Sequence, residues 1–442
     1  MLRWLLVAGL LMVPAGCLDD GSGAEESAVA ALQERPWATS ATGPVEIQTD
    51  CQRLPCQLSI KDGLTPMDVR VAHAAPDEPG SLTVVGQRGG MGPVGSPIGP
   101  VSPVALVREP LAAWSHDHGH TWTSSVVPMG VGRFGWLEGW GLHVDQVGRT
   151  HAVASFIDSA FSMAGEPVGA VQEPHSVHAW TDDEGANWQN VTPIEDDPYV
   201  HATGVASNDG NPFYAFIRDE RIWFGPADSV AEAGDPLTCP RTSVAHPTVD
   251  GLLVSCTGTR TGEDVSGRVV YSDGTETKTI RSDGRCFTSA AATEGERWVA
   301  VFSDCDRGGA ELVLGQANAT WARTVVERPP SSLDIDVWRV EAVALDAQGR
   351  LHLVSVMSQV EDPPVDYAVF IEFVYSVHDT EGTMLDSVSV LEGIQGLSPA
   401  TAAHGLLYPA TIAATPEHAY VFLRNAGATD ETILTAYHLV TD

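Results

Sequence analysis

Along most of the chain, apolar residues fall into short strand-length runs, separated by turns built from Asp, Gly, Asn and Pro. Two distant segments nearly repeat each other: LHVDQVGRTHAVAS from Leu142 and VALDAQGRLHLVSV from Val343. Each is an apolar strand, then Asp-x-x-Gly-Arg, then an alternating strand. Asp tolerates turn geometry and Gly supplies positive φ, so each predicts a β-hairpin. Five weaker copies keep the rhythm: APDEPGSLTVVG, ASNDGNPFYAF, TVDGLLVSC, ATEGERWVAVF and ATPEHAYVFLR. Together they run from about Val71 to Asn425, at a spacing suited to four-stranded units. The predicted fold is all-β: a β-propeller of four-stranded antiparallel blades, seven by hairpin count, with six the alternative. The final repeat has little chain after Tyr437 for a fourth strand, and GPVEIQ from Gly43 is the candidate to supply it and remove an exposed edge.

A second pattern is sharper. Ser115, Asp117, Gly119, Thr121 and Trp122 form Ser-x-Asp-x-Gly-x-Thr-Trp, and Thr181, Asp183, Gly185, Asn187 and Trp188 form a conservative copy. Degenerate versions stand at YSDGTETKTI, GQANATWARTVV and YSVHDTEGTMLDSV. In such a turn the Asp carboxylate accepts backbone N–H bonds, Gly adopts a conformation barred to other residues, and Trp packs on the sheet. These segments resemble the Asp-box (BNR) repeats of sialidases and related propellers, over roughly Gly43 to Asp442. The resemblance implies that the Asp-box joins the third and fourth strands of a blade, at the same end as the first hairpin. The long connections then gather at the other end, where a binding site is displayed. Two are read as long loops: RGGMGPVGSPIGPVSPVALVREP and IDSAFSMAGEPVGAVQEPHS.

Sialidases have six blades and use an Arg triad, a Tyr–Glu pair and an acid/base Asp. The nearest counterpart of their Arg-Ile-Pro motif is Arg108-Glu109-Pro110, read here as loop. No Tyr has a recognisable Glu partner, so no catalytic residue is assigned. The candidate ligand-binding residues are Arg133, Trp136, Trp140, His201, Arg218, Asp304, Asp336, Trp338, Tyr408 and Arg424. They are aromatic faces, Arg and carboxylates at the start of innermost strands or the end of second strands, a combination suited to sugars or anionic ligands. Set against this, the aromatics can fill the tapered centre and the Arg residues can pair with local acids. The function expected is a binding module for a glycan or protein partner, with a sialidase-like exo-glycosidase as the alternative.

Ahead of the repeats the chain carries an address. Arg3, an apolar run from Trp4 to Val13, then Ala15, Gly16 and Cys17 form a secretory signal. Ala-Gly-Cys resembles the lipobox of bacterial lipoproteins, with Pro14 in place of the usual aliphatic residue. An ordinary secretory signal is the alternative. The expected organisation is a signal peptide over 1–16, a polar tether over 17–42 from lipidated Cys17, and the propeller over 43–442. The expected location is the bacterial cell envelope, at the outer membrane or cell surface, with the protein held to the membrane by its lipid.

Composition narrows the partners. The chain has 442 residues and a net charge of −34. That length exceeds a single ordinary core and suits a fold of repeated modules. The acidity argues against nucleic acid, which needs clustered Lys and Arg, and against adhesion to anionic lipid. No cofactor is implied. Ca²⁺ remains possible at Asp304/Asp306 and Asp334/Asp336, although neither has the spacing of a defined Ca²⁺ loop. His116, His118 and His120 around Asp117 are read as surface residues, and no metal site is assigned. Six Cys remain beyond Cys17, an even count that suggests three disulfides out of about 15 possible connectivities. Cys286–Cys305 flank the Glu294-Gly295 turn evenly, Cys239–Cys256 flank the Asp250-Gly251 turn less evenly, and Cys51–Cys56 would close a small loop.

Overall fold

The computed structural model describes residues 47–49, 61–62, 65–93, 104–128, 136–157, 175–195, 200–208, 211–218, 221–226, 231–232, 244–248, 250–256, 267–281, 286–305, 309–316, 319–331, 337–360, 369–391, 410–426 and 432–441. Its secondary structure is entirely β among these residues. Seven small antiparallel sheets form the blades of a propeller.

Blade 1 holds β2 (Lys61–Asp62), β3 (Thr65–Ala74), β4 (Leu82–Pro93), β5 (Val104–Ser115) and β6 (Thr123–Val126). Blade 2 holds β7 (Trp136–Val144), β8 (Thr150–Ile157), β9 (His175–Thr181) and β10 (Gln189–Glu195). Blade 3 holds β11 (Val200–Asn208), β12 (Asn211–Arg218), β13 (Arg221–Gly225) and β14 (Ala231–Glu232). Blade 4 holds β15 (Val244–Pro247), β16 (Leu252–Cys256), β17 (Arg268–Ser272) and β18 (Thr277–Arg281). Blade 5 holds β19 (Cys286–Glu294), β20 (Arg297–Cys305), β21 (Glu311–Gln316) and β22 (Ala319–Val325). Blade 6 holds β23 (Val337–Leu345), β24 (Leu351–Val360), β25 (Val369–His378) and β26 (Met384–Leu391). Blade 7 holds β27 (Ala410–Ala414), β28 (His418–Ala426) and β29 (Thr432–Thr441), and is completed by β1 (Ile47–Thr49) from the N-terminal side.

The innermost strands β3, β7, β11, β15, β19, β23 and β27 pack each against the next, and β27 packs against β3. Ile47 pairs with Thr441, so the two ends of the chain share blade 7 and its outer edge is covered. Six blades, the alternative count, is thereby set aside.

The core explains why the strands read as apolar runs rather than strict alternation. The buried residues divide into seven clusters, and each cluster fills the seam between two adjacent blades. Successive residues of one strand serve opposite seams, because side chains alternate across a sheet. Val84 faces blade 7 while Val85 faces blade 2. Val299 and Val301 face blade 6, while Trp298, Ala300 and Phe302 face blade 4. A blade buried on both faces has no polar face to show. Each fully buried large side chain contributes roughly 1.5–3 kcal/mol.

One expectation about loops is corrected. Much of the Gly- and Pro-rich stretch after the first hairpin is strand: β4 and β5 pair continuously from Leu82↔Ser115 to Pro93↔Val104. Arg108, Glu109 and Pro110 therefore lie within β5, opposite Gly89, Arg88 and Gln87. Glycines in this register leave the ladder intact, and composition alone mistook them for loop. Residues 158–174, the second predicted loop, lie outside the described residues.

Cys286 and Cys305 face each other at the start of β19 and the end of β20 and form a disulfide. Cys256 is also disulfide-bonded. Cys17, Cys51, Cys56 and Cys239 lie outside the described residues.

Candidate functional site

The strand order gives the ring two unlike ends. First-to-second and third-to-fourth connections fall at one end, here the turn end. The other connections fall at the opposite, loop end. The described turn-end connections are short and internally bonded. Those at the loop end include residues 94–103, 158–174, 257–267 and 392–409.

At the turn end the two Ser/Thr-x-Asp turns match atom for atom. Ser115 Oγ donates to Asp117 and accepts the Gly119 amide at 2.8 Å, and Asp117 accepts the Thr121 amide at 2.8 Å and its hydroxyl at 2.6 Å. Thr181 Oγ1 donates to Asp183 and accepts the Gly185 amide at 2.9 Å, and Asp183 accepts the Asn187 amide at 2.8 Å and its Nδ2 at 2.6 Å. These bonds favour the charged carboxylate: the Thr121 hydroxyl foremost holds Asp117 down to about 2, and Asn187 lowers Asp183.

Each turn also grips the preceding blade. Ser125 of blade 1 donates to the Gly185 carbonyl and accepts from Trp188 Nε1 at 3.0 Å. Gly185 has φ of 78°, and a Cβ there would lie 2.4 Å from that of Ser125. In blade 6, Thr324 of blade 5 donates to the Glu381 carbonyl and the Glu327 amide to the Gly382 carbonyl. Trp122 and Trp188 are half-buried against the seams with blades 7 and 1 respectively. The expectation that the histidines here are surface residues holds for His116 and His120, which are exposed, and is corrected for His118, which is half-buried. His116 bonds Glu184 of blade 2 at 2.5 Å, and His118 bonds the Tyr420 hydroxyl of blade 7 at 2.8 Å.

The first hairpins carry a second network that sequence reasoning missed. Asp145 accepts the Val147 and Arg149 amides, and its other oxygen bonds His151 at 3.3 Å. His151 bonds His178 at 3.1 Å, and His178 bonds the Tyr214 hydroxyl of blade 3 at 2.8 Å. In blade 6, Asp346 accepts the Gln348 and Arg350 amides, Arg350 Nε at 2.9 Å, and bonds His352, which bonds the Tyr375 hydroxyl at 2.7 Å. A signal was present: both copies read Asp-x-x-Gly-Arg-x-His.

A central channel of about 900 Å³ opens at the turn end. Blade 3 is shut out of its lining: Gly141, Gly204 and Ala245 pack so closely that a Cβ on Gly204 would stand 2.3 Å from that of Ala245. Four innermost strands carry a bulge, at Arg70, Glu138, Thr203 and Glu341. Bulges re-aim side chains, and Arg70 and Glu341 line the channel, Glu341 as an ion pair with Arg339.

Two of the sequence candidates are corrected. Trp140 and Trp338 are 5% and 3% exposed and belong to inter-blade seams, with Trp338 Nε1 donating to Ser355. A blade stands radially, so side chains on its inner strand face neighbouring blades. The backbones of Trp136, His201, Arg218, Asp304 and Arg424 all fall at the loop end of their strands. The side chains of these five, and residues Arg133, Asp306, Asp334, Asp336 and Tyr408 altogether, lie outside what is described. No group of His, Cys, Asp and Glu able to hold a metal ion occurs among the described residues.

No family model matches the chain, and no curated protein matches it. Solved structures similar to it include a protein of unknown function from Dyadobacter fermentans, with 11% identity over 90% of this chain and 99% of that one, TM-score 0.47. Another is the β-propeller domain of the Trilobed protease from Pyrococcus furiosus, with 8% identity over 84% and 95%, TM-score 0.40. A third is an α-L-arabinofuranosidase from Fusarium graminearum bound to an iminosugar inhibitor, with 11% identity over 84% and 92%, TM-score 0.38. At these identities and TM-scores the likenesses carry nothing about ligand or activity to this chain, which stands as a seven-bladed β-propeller.

Proposed function

We propose that the protein is an envelope-tethered propeller that binds a glycan or a protein partner at its loop end and does not cut it. The observation that carries this reading is the division between the two ends. Every described turn-end hairpin bonds within itself or to a neighbouring blade, while the long connections depart from the other end. A rigid ring stitched at one end and bearing long connections at the other is how a scaffold displays a recognition surface. Cys17, acylated after removal of residues 1–16, and the tether over 17–42 hold that ring to the membrane in this reading.

The second reading, a sialidase-like exo-glycosidase, draws on the Asp-box bonding of the two Ser/Thr-x-Asp turns. Weighing against it, the tyrosines whose side chains are described, Tyr214, Tyr271, Tyr375 and Tyr420, are all at most 2% exposed. None of them can reach a substrate as a nucleophile.

The test is a glycan array probed with the purified protein, run beside a panel of fluorogenic glycosides that includes a sialoside. Saturable capture of a glycan class without turnover is expected. Turnover of the sialoside would replace the first reading with the second. Peptide mass analysis should show an acyl group on Cys17, and Cys17→Ser should release the protein from membranes. An unmodified Cys17 removes the tether.

A further inference from the structure

The seam between blades 2 and 3 is built differently from the other six. Its apolar core is the smallest of the seven among the described residues: Val153, Ala202, Val205, Tyr214 and Phe216, with Trp223 packed against them. Its innermost strands meet glycine on glycine, so close that a Cβ on Gly141 would stand 2.7 Å from the Gly204 Cα. Polar bonds therefore hold more of this seam than of its neighbours, and they fall into two groups. Toward the loop end, Ser155 Oγ donates to the Ala202 carbonyl at 3.0 Å and bonds Ser176 Oγ at 2.7 Å, and Ser176 Oγ accepts the Ala202 amide at 3.2 Å. Nothing in this group titrates. Toward the turn end runs the chain Asp145–His151–His178–Tyr214, which starts on blade 2 and ends on blade 3.

The direction of every hydrogen in that chain is fixed by its ends. Burial would raise the Asp145 carboxyl, but the Arg149 amide and His151 outweigh it and keep it below its ordinary value, so it only accepts. His151 then carries its hydrogen on Nε2, which leaves Nδ1 as an acceptor. His178 carries its hydrogen on Nε2 to donate there, and its Nδ1 accepts the Tyr214 hydroxyl. One added proton reverses that last bond wherever the proton sits. If His151 holds it, His151 Nδ1 donates to His178 Nε2, and the His178 hydrogen moves to Nδ1. If His178 holds it, both of its nitrogens donate. In either case His178 Nδ1–H faces the Tyr214 oxygen and turns the hydroxyl hydrogen away. Tyr214 is 2% exposed and has no other hydrogen-bond partner among the described residues, so that hydrogen is buried without an acceptor and the closed seam is destabilised.

We propose that this chain is an acid-operated latch between blades 2 and 3: one proton, entering where Asp145 meets the channel mouth, reverses its last hydrogen bond and releases the turn-end half of the seam, while the serine pair keeps the loop-end half closed. The ionisable groups that face the two imidazoles are His143, Asp145 and Arg149 of the first hairpin. Trp180 of β9 is the ring beside His151, and the described side chains of β11 and β12 carry no charge. Burial foremost, then His151 and His143, lowers His178, and burial together with Arg149 lowers His151 against the pull of Asp145. A released imidazole takes its proton near the ordinary 6.5 and the latched pair only at lower pH, so falling pH favours release. The related chain Asp346–His352–Tyr375 lies within blade 6 and crosses no seam. The latch stands whether or not the loop end binds a glycan.

The test is thiol labelling of the full chain at pH 7 and pH 5.5, with rates corrected for the fraction of thiolate. Val205→Cys puts the reporter in the core of this seam, and Val354→Cys puts a control in the seam between blades 6 and 7. The Val205→Cys variant should label about tenfold or more faster at pH 5.5, and the Val354→Cys variant should not. Adding His151→Gln and His178→Gln, which keep hydrogen-bonding amides and remove both titrating rings, should abolish the acceleration. Nitrogen-15 spectra of the histidine-labelled wild type read the chain directly: at pH 7 His151 and His178 should both carry the hydrogen on Nε2, and this reading needs no variant to fold. An unchanged labelling rate at Val205→Cys, equal acceleration at Val354→Cys, acceleration that survives both Gln substitutions, or a hydrogen on His178 Nδ1 at pH 7 each overturns the proposal.

Discussion

The Asp145 and Asp346 hairpins share the spelling Asp-x-x-Gly-Arg-x-His and the same pattern of turn bonds, yet they sit in different surroundings. In blade 6 the Asp346 side chain is fully buried, and Arg350, 5% exposed, folds back onto it. Burial alone would raise the Asp346 carboxyl, but His352 and Arg350 outweigh it and hold it at about 2. In blade 2 the Arg149 side chain is 41% exposed and lies near Trp180, and Asp145, 12% exposed, looks onto the channel mouth. One motif therefore does two jobs: it locks a seam in one blade and presents charge at an opening in another. The turn sequence sets the backbone; in blade 2 Arg149 lies over Trp180 of the same blade and reaches Asp145 only at 4.0 Å, whereas Arg350 closes onto Asp346 at 2.9 Å.

The largest expected effect is at the lock. Asp346→Asn strips Arg350 of its counter-charge inside the protein and weakens the bond to His352, and should cost about 3–5 kcal/mol, read by denaturant unfolding. A cost near that of the blade 2 equivalent would erase the distinction between the hairpins. Gly185→Ala comes next, at about 2–4 kcal/mol, because it combines a positive φ with collision against Ser125. Its effect tests whether the third hairpins stitch blade to blade. Asp145→Asn keeps the turn bonds through the Asn oxygen and should cost only about 1 kcal/mol.

Acid should act on the whole ring through its enclosed histidines. Burial foremost lowers His178 to about 3 and His73, His246 and His378 to about 4, and also lowers His151, which lies against His178. The unfolded chain binds these protons near pH 6.5 and the folded chain only at lower pH, so stability falls as pH drops from about 6.5 toward 4. The melting temperature should fall by roughly 5 °C or more between pH 6.5 and 4.5. Replacing His178 with Gln should flatten that slope, and an unchanged slope would remove His178 from the account. The smallest effect is at Glu294, whose carboxyl is raised by burial above the ordinary carboxylate range, the mark of a charge held unfavourably. Glu294→Gln should leave stability unchanged or raise it by a few tenths of a kcal/mol, whereas a loss would show that the carboxylate is a structural partner.

The first hairpins were legible because Asp and Gly at fixed offsets leave few alternatives to a tight turn. Blade closure by the N-terminal strand was legible for a related reason: the last repeat ran out of chain at Tyr437. The channel was not legible, since its lining is assembled only when separate strand ends are brought to one height. The aromatic candidates Trp140 and Trp338 misled because an aromatic near the start of an inner strand reads as facing the axis, whereas the radial blade turns it into a seam. The stretch around Arg88 misled through its glycines, which suggest loop by composition and pair as strand by register.

The division of labour between the two ends is tested most directly by one paired measurement. Melting temperature and glycan capture on the array are determined for Arg218→Ala, Arg424→Ala, Trp122→Ala and Trp188→Ala. The Trp variants should lose about 1.5–3 kcal/mol, as half-buried rings do, while their folded fraction captures glycan normally. The Arg variants should melt like the wild type and lose capture. Arg variants that capture normally, beside folded Trp variants that do not, would place recognition at the turn end and contradict the account.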